Sequence, residues 1–481
     1  MRKLALVLSF VSATALAQPA PEPAPVEPTV PVEPTPPDPV PVEQPTVELP
    51  APVVAPDGAA RNYEQPPEAE YVHGGFVIRG LGIGASYLVR ILVAPFRGLV
   101  YAEARWKALT KIRKVFVNDA GTLGVLPSVS FNSDLGLNFG ARAFIDDYFG
   151  AGESVSIGAN TGGTTVQAYQ LKIDLPHIGG APLYARTRVR WEENDGSFFA
   201  GLGNPDAHVR DPMLPVTATA VATRFSQKRF LTVLSAGVEL GDKDTRLRIG
   251  ASGIYNDRSF GAAGSSATDP SIETSYDTST LRGFDAGYRT LEITGDIELD
   301  TRDTRGPTTR GTVLRAFAGG GSLVEDSNYA HYGAEAAYYL APFWPRRVFV
   351  GRVTLEGVRD KNDDIPFTEL PRLGGAGLLR GFHTDEFRDK LATIVTLEYH
   401  YPIHELISGQ LFVESGKVGR TYDALLGAGF TDNWHTGYGG GLIVHSRSSV
   451  KVRLDIAYGD GIAFYFSTDV LDAFRKRERE L

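Results

Sequence analysis

The sequence contains no cysteine and only two methionines in 481 residues. Without thiols there is no disulfide framework, no thiolate metal site and no cysteine nucleophile, and no lipoprotein anchor can follow the leader. Catalytic signatures are equally scarce. No G-x-S-x-G occurs, and His400 and His404 flank Pro402 without any H-E-x-x-H pattern. A basic excess is missing too, since 48 Lys and Arg face 57 Asp and Glu, which gives nucleic acid no footing. The expectation is a protein that is not an enzyme, holds no cofactor or metal, and binds no nucleic acid.

The acidity has one source. Residues 18–70 hold ten acids and one base, Arg61, so that stretch nets −9 and the remainder sums to zero. The same stretch carries 17 prolines. Proline fixes φ and lacks an amide donor, so 18–75 is expected to be a disordered or polyproline II linker, a solvated spacer. Before it, Arg2 and Lys3 precede an apolar stretch that ends Ala15-Leu16-Ala17. That order of charge, apolar run and small residues marks 1–17 as a secretory signal peptide, cleaved after Ala17. Export to the envelope of a Gram-negative bacterium follows, with the linker in the periplasm.

Residues 76–120 read as an amphipathic helical segment. Leu88, Ile91, Leu99, Trp106, Leu109, Ile112 and Phe116 recur near helical spacing, and Arg97, Arg105, Lys107 and Lys111 are among eight bases facing one acid, Glu103. Pro95 and the charges around it keep the run short of the ~18–20 apolar residues that cross a bilayer. A helix lying on the periplasmic membrane surface fits this pattern; packing against a soluble domain is the alternative.

From residue 121 to 470 the period is two. In Leu183–Glu192, Leu183, Ala185, Thr187, Val189 and Trp191 oppose Tyr184, Arg186, Arg188, Arg190 and Glu192. In Leu291–Asp300, Leu291, Ile293, Ile297 and Leu299 oppose Glu292, Asp296, Glu298 and Asp300. A soluble sandwich would bury the apolar face, whereas an outer-membrane barrel turns it to lipid. Export, the length of the run and segments of ~9–11 residues favour the barrel, which also satisfies every backbone amide by closure. The fold class is therefore all-β, a closed antiparallel transmembrane barrel. Seventeen segments alternate; strand numbers in such barrels are even, so sixteen strands are expected, with 246–256 assigned to a loop.

Two motifs lie within this run. Asp300-Thr301-Arg302-Asp303 through Pro307 to Gly311 forms a strand end, a turn and a new strand, and Leu379-Arg380-Gly381-Phe382 sits in a glycine-rich loop. They resemble the D-x-R-D…P-T-x-G turn and R-G-F loop of the bacterial surface antigen superfamily, which includes BamA-like insertases, TamA-like translocation factors and two-partner secretion transporters. Alternation turns Glu398 and Glu414 inward on the two strands after the loop. The resemblance implies that the loop folds into the barrel and that Arg380 pairs with those two acids. A surface arginine is the alternative.

The resemblance further implies handling of membrane lipid or protein, with outer-membrane lipids and client outer-membrane proteins, or a homodimer, as partners. A passive pore for small polar solutes and a structural anchor are the competing readings. Pro127 in the first strand, with Phe464 and Phe466 facing outward on the last, resembles the seam of an insertase; tolerance of proline at an edge explains Pro127 equally well. The pattern departs from the family in two places. The linker and helix stand where POTRA domains are expected, and a charged tail, 471–481 with Arg475-Lys476-Arg477, extends past the last strand.

Overall fold

The computed structural model describes residues 115–467, apart from 204–220 and the short stretches 243–244, 266, 268, 305–307, 324–327, 343–345, 362–363, 405–406, 428–429 and 446–449. The signal peptide, the linker, the amphipathic segment up to residue 114 with Arg97, Arg105, Trp106, Lys107 and Lys111, the charged tail, and Pro307 lie outside the described residues.

Alternating side chains and glycine-rich turns build sixteen barrel strands. The first six are β1 (Leu123–Asn132), β2 (Gly136–Asp146), β3 (Ser154–Gly162), β4 (Thr165–Leu175), β5 (Leu183–Phe199) and β6 (Thr223–Gly241). Then come β7 (Arg246–Ala262), β8 (Tyr288–Asp300), β9 (Gly311–Leu323), β10 (Asn328–Leu340) and β11 (Val348–Asp360). The last five are β12 (Leu391–His404), β13 (Ile407–Gly419), β14 (His435–His445), β15 (Val450–Tyr458) and β16 (Ile462–Ser467). Each pairs antiparallel with its neighbours, and β1 closes on β16 with Ser130 opposite Ser467 and Asn132 opposite Tyr465.

The burial pattern is that of a soluble protein turned inside out. On β8, Leu291, Ile293 and Ile297 are exposed, whereas Glu292, Glu298 and Asp300 are buried. Apolar side chains at every second position on the outer wall suit lipid, and the polar set faces a lumen where charges must find one another. Glu298 receives Arg246 at 3.2 Å, Arg248 at 3.3 Å and Arg315 at 2.5 Å. These bridges tie β7, β8 and β9 together across the inner face.

The strand number matches the sequence expectation; the segment set aside does not. Residues 246–256 are the first part of β7, in register with β8 from Arg246 opposite Asp300 to Arg258 opposite Tyr288. The surplus segment is instead 216–225, whose described end, from Thr223, is the beginning of β6. The polar run Ser226-Gln227-Lys228-Arg229 reads as a turn, yet it stays in the ladder opposite β5 and β7. Backbone pairing on both sides outweighs local polarity where a strand rises beyond the apolar band.

One end of the barrel carries short turns, the other carries four long connections, 200–222, 263–287, 361–390 and 420–434, of which the first three meet over the lumen. Their apolar residues form a cap. Ile272, Tyr276, Leu281, Phe284 and Phe367 from two of these connections cluster with Phe199 of β5 and Phe225 of β6 with almost no exposure, and Leu202 packs against them.

At the opposite end, the turn between β8 and β9 is organised by the Asp300–Gly311 motif. Asp300 takes Arg302 through two oxygens, at 2.9 and 2.8 Å, and Asp303 accepts from the Thr304 and Thr309 amides at 2.9 and 3.0 Å. Gly311 has φ +123°, and a Cβ there would stand 2.4 Å from the Thr301 carbonyl oxygen. Gly311→Ala should therefore cost about 1–3 kcal/mol through backbone strain. Urea unfolding of the barrel in detergent should show the lowered midpoint; an unchanged midpoint would mean the turn relaxes freely.

Candidate functional site

Loop 361–390 leaves β11 and folds down among the inward side chains of the wall. Its backbone is shaped by glycines: Gly374 and Gly375 have φ +120° and +86°, and the Gly374 amide bonds the Leu378 carbonyl at 2.8 Å. A two-residue ladder, Arg372–Leu373 against Phe387–Arg388, ties the loop's two arms. The tip between those arms is Leu379-Arg380-Gly381-Phe382.

Arg380 is 2% exposed and meets three carboxylates. Its Nη2 lies 2.8 Å from Glu398 on β12 and 2.8 Å from Glu414 on β13, while Nη1 lies 3.1 Å from Asp455 on β15. The Arg380 amide donates to the other Glu414 oxygen at 2.7 Å. The guanidinium also sits 3.4 Å over the Phe412 ring, so its flat face and both of its terminal nitrogens are engaged. Arg453 stands 2.8 Å from Asp455, and His400 lies 3.0 Å from Glu398.

Close approach of the loop requires missing side chains on the wall. A Cβ on Gly437 of β14 would be 1.9 Å from the Arg380 carbonyl oxygen. Gly381, at φ +96°, lies so near the β15–β16 turn that a Cβ would come within 2.6 Å of the Gly459 nitrogen. There the Gly381 amide donates to the Tyr465 hydroxyl at 3.1 Å and its carbonyl accepts from the Asp460 amide at 3.1 Å. Phe382 packs edge-on against Phe387 and His435.

Two further attachments hold the loop. Glu369 accepts from Asn256 at 2.7 Å and from the Tyr288 hydroxyl at 2.5 Å, with Arg258 at 3.4 Å, all on β7 and β8. Past the tip, His383 Nδ1 lies 2.9 Å from Asp134 in the β1–β2 turn, and the Thr384 amide donates to the other Asp134 oxygen at 2.9 Å. Arg224 of β6 reaches the same carboxylate at 2.6 Å. The Glu386 carboxylate accepts from the His383 amide at 2.8 Å.

The structure thus brings Arg380, Gly381, Glu398 and Glu414 into one cluster with Phe382 beside it. Asp300, Arg302, Asp303 and Gly311 form a separate turn at the other end. Pro127 lies exposed on β1 opposite Ala141 of β2, and Phe464 and Phe466 face outward on β16. Sequence reasoning missed Asp455, although the alternation of β15 had already turned it inward. It also missed Asp134, Arg224, Glu369 and His383, for which periodicity carries no signal. Among the described residues no cluster suits a metal ion.

An exposed apolar outer wall, a charged inner wall and a loop bound inside define an outer-membrane barrel with a folded-in loop. The Omp85 superfamily domain model matches residues 147–468, and the chain belongs to that superfamily. The resemblance read from the motifs therefore holds. Among solved structures the chain is similar to BamA from Haemophilus ducreyi lacking POTRA domains 1–3, at 14% identity over 72% of this chain and 69% of that one, with TM-score 0.49. It is also similar to CdiB from Acinetobacter baumannii, at 13% identity over 71% and 58% with TM-score 0.46. CdiB from Escherichia coli matches at 10% identity over 71% and 62% with TM-score 0.48. The chain thus spans less than two thirds of either CdiB. No curated protein matches it.

The His383 attachment should respond to pH. Its hydrogen bond to Asp134 raises the His383 pKa above the ordinary 6.5, and burial pushes the Glu386 carboxyl from 4.5 up to about 7. Burial also acts upward on Asp134, but the His383 hydrogen bond and the Arg224 charge outweigh it and hold Asp134 at about 2. Raised groups stabilise the folded loop below their unfolded pKa and lose that contribution as pH rises through the folded value. Asp134 contributes above its ordinary 3.8 and loses that contribution only towards 2. Hydrogen exchange across residues 378–390, corrected for intrinsic rate, should therefore show stronger protection at mildly acidic pH than at alkaline pH. His383→Asn should flatten the trend. Equal protection at both pH values would show that neither group reports loop docking.

Proposed function

We propose that this barrel handles lipid or polypeptide at the outer membrane, by insertion, translocation or membrane homeostasis, with loop 361–390 as a plug in the lumen. One observation carries the reading: the loop is fixed on facing parts of the wall. Glu369 binds β7 and β8, while Arg380 binds β12, β13 and β15. A loop attached at both places crosses the space a solute would use. A passive pore has no need of a buried guanidinium at its centre, and the cost of leaving three carboxylates around an empty seat, about 3–5 kcal/mol for a broken buried pair, opposes displacement. The outer-membrane lipids are the first partner; clients or a second copy of the chain come after.

Single-channel conductance of the whole protein in planar bilayers tests the plug. Wild type should be closed or nearly so, Arg380→Ala should open frequent conducting events, and Arg380→Lys should fall between, because one ammonium cannot serve three carboxylates in that geometry. Steady wild-type conductance that Arg380→Ala leaves unchanged would overturn the plug and make the protein a pore.

A further inference from the structure

The connection between β13 and β14, residues 420–434, does not join the cap over the lumen. It lies on the outer wall. Its one-turn helix α1 (Tyr422–Leu426) stands beside β12 and β13, and the outward residues beneath it are covered. Leu391, which alternation turns towards lipid, is 3% exposed, and Thr393 is buried too. The Tyr422 hydroxyl bonds the hydroxyl of Tyr332, an outward residue of β10.

An outward lysine holds the loop there. Inward positions on β13 are Gln410, Phe412, Glu414 and Gly416, so Lys417 points to the membrane side, yet it is 1% exposed. Its three donors reach the carbonyl oxygens of Ala424, Phe430 and Asp432 at 3.1, 3.2 and 3.4 Å. The ammonium also lies 5.3 Å from the Trp434 ring centre and 5.7 Å from that of Phe430. A lysine facing lipid is costly unless its donors are satisfied. Here the loop satisfies them and is seated by doing so.

The loop's exposed surface is amphipathic. Tyr422, Leu426 and Phe430 are 50%, 53% and 51% exposed, beside exposed polar residues such as Asp423, Asp432 and Asn433. The height is informative. At the lower edge of this wall Phe349, Tyr399 and Tyr401 stack at 5.0 and 5.9 Å. Ten residues separate Tyr401 from Leu391 on β12; at ~3.4 Å each and a tilt of about 40° they climb roughly 26 Å, about the ~25 Å of an outer-membrane apolar band flanked by aromatic girdles. At that upper level β11, β12 and β13 offer Gly357, Leu391, Lys417 and Gly419, and the neighbouring aromatic is Tyr332 of β10, opposite Gly357, which Tyr422 joins. The loop brings Tyr422, Phe430 and Trp434 to the place where a girdle is due.

We propose that the 420–434 loop is a membrane anchor, lying at the boundary of headgroups and acyl chains in the leaflet at the loop end of the barrel and contacting lipid through Tyr422, Leu426 and Phe430. Lys417 is its positioning residue. The occupant is lipid because Tyr422, Leu426 and Phe430 are exposed at the upper edge of the outer wall whose lower course, with Val413 and Leu397, faces lipid.

The absence of cysteine makes the test direct. A fluorophore on Leu426→Cys in the full chain, in bilayers, is compared with one on Leu397→Cys in the lipid-facing wall and one on Thr278→Cys in the cap. The label at 426 should be quenched by lipids carrying a nitroxide near the head of the acyl chain to within about twofold of the label at 397, and only weakly by aqueous iodide. Adding Lys417→Met should shift position 426 towards iodide quenching while position 397 keeps its lipid signal. Iodide quenching at 426 equal to that at 278 would overturn the proposal. So would protection from both quenchers, the result expected if a protein partner covers the loop.

Discussion

Three carboxylates converge on one inner patch of the barrel, from strands β12, β13 and β15, and the wall itself faces them with Arg453, His400 and the more distant Arg352 of β11. The remaining charge comes from elsewhere: Arg380 at the tip of a loop that starts and ends at the rim. Electrostatic repulsion among Glu398, Glu414 and Asp455 would otherwise have to be relieved by water or protonation. Loop and wall are therefore not independent pieces. The wall's charge set makes sense with the loop docked, and the loop's buried guanidinium makes sense only among those acids.

Steric provision agrees with the electrostatics. Gly437 and Gly459 clear room on the wall and in the β15–β16 turn, and Gly381 clears it on the loop. Each of the three would bring a Cβ within 2.6 Å of an atom across the contact. Glycine in a strand interior weakens the strand, so a strand such as β14, with Gly437 among four glycines, carries a local cost that the docked loop offsets.

Much of this was legible in the sequence, because a barrel strand writes its two faces as a period of two. The strands, their inward acids and the loop bearing Arg380 could be read without coordinates. The error over 246–256 shows the limit of that code: pattern strength ranks segments by local polarity, whereas membership of a closed sheet depends on pairing with strands far away. The same limit hid Asp455. Its inward direction was readable, but its closeness to Arg380 depends on barrel curvature and on how deep the loop descends. The attachment of His383 to Asp134 joins positions 249 residues apart, and nothing local marks either. Lys417 misleads most, since a lysine on the lipid face argues against a membrane strand until the loop above it is seen.

The tip of the loop reaches both sides of the place where the barrel closes. On one side Gly381 is bonded to Tyr465 of β16, next to the Arg380 cluster; on the other, His383 and Thr384 grip Asp134 just beyond the end of β1. The strands so held are the pair that meet at Ser130–Asn132 and Tyr465–Ser467. The loop is thus a staple across the closure as well as a body in the lumen. Any separation of β1 from β16 at that end must break the Asp134 contacts or pull Gly381 and Arg380 from their seats. Conversely, a loop that leaves the lumen removes the staple. The contacts that seat the loop among the lumenal acids and the contacts that bridge the closure are carried by neighbouring residues of one segment, which couples the two through direct contact rather than through the barrel as a whole.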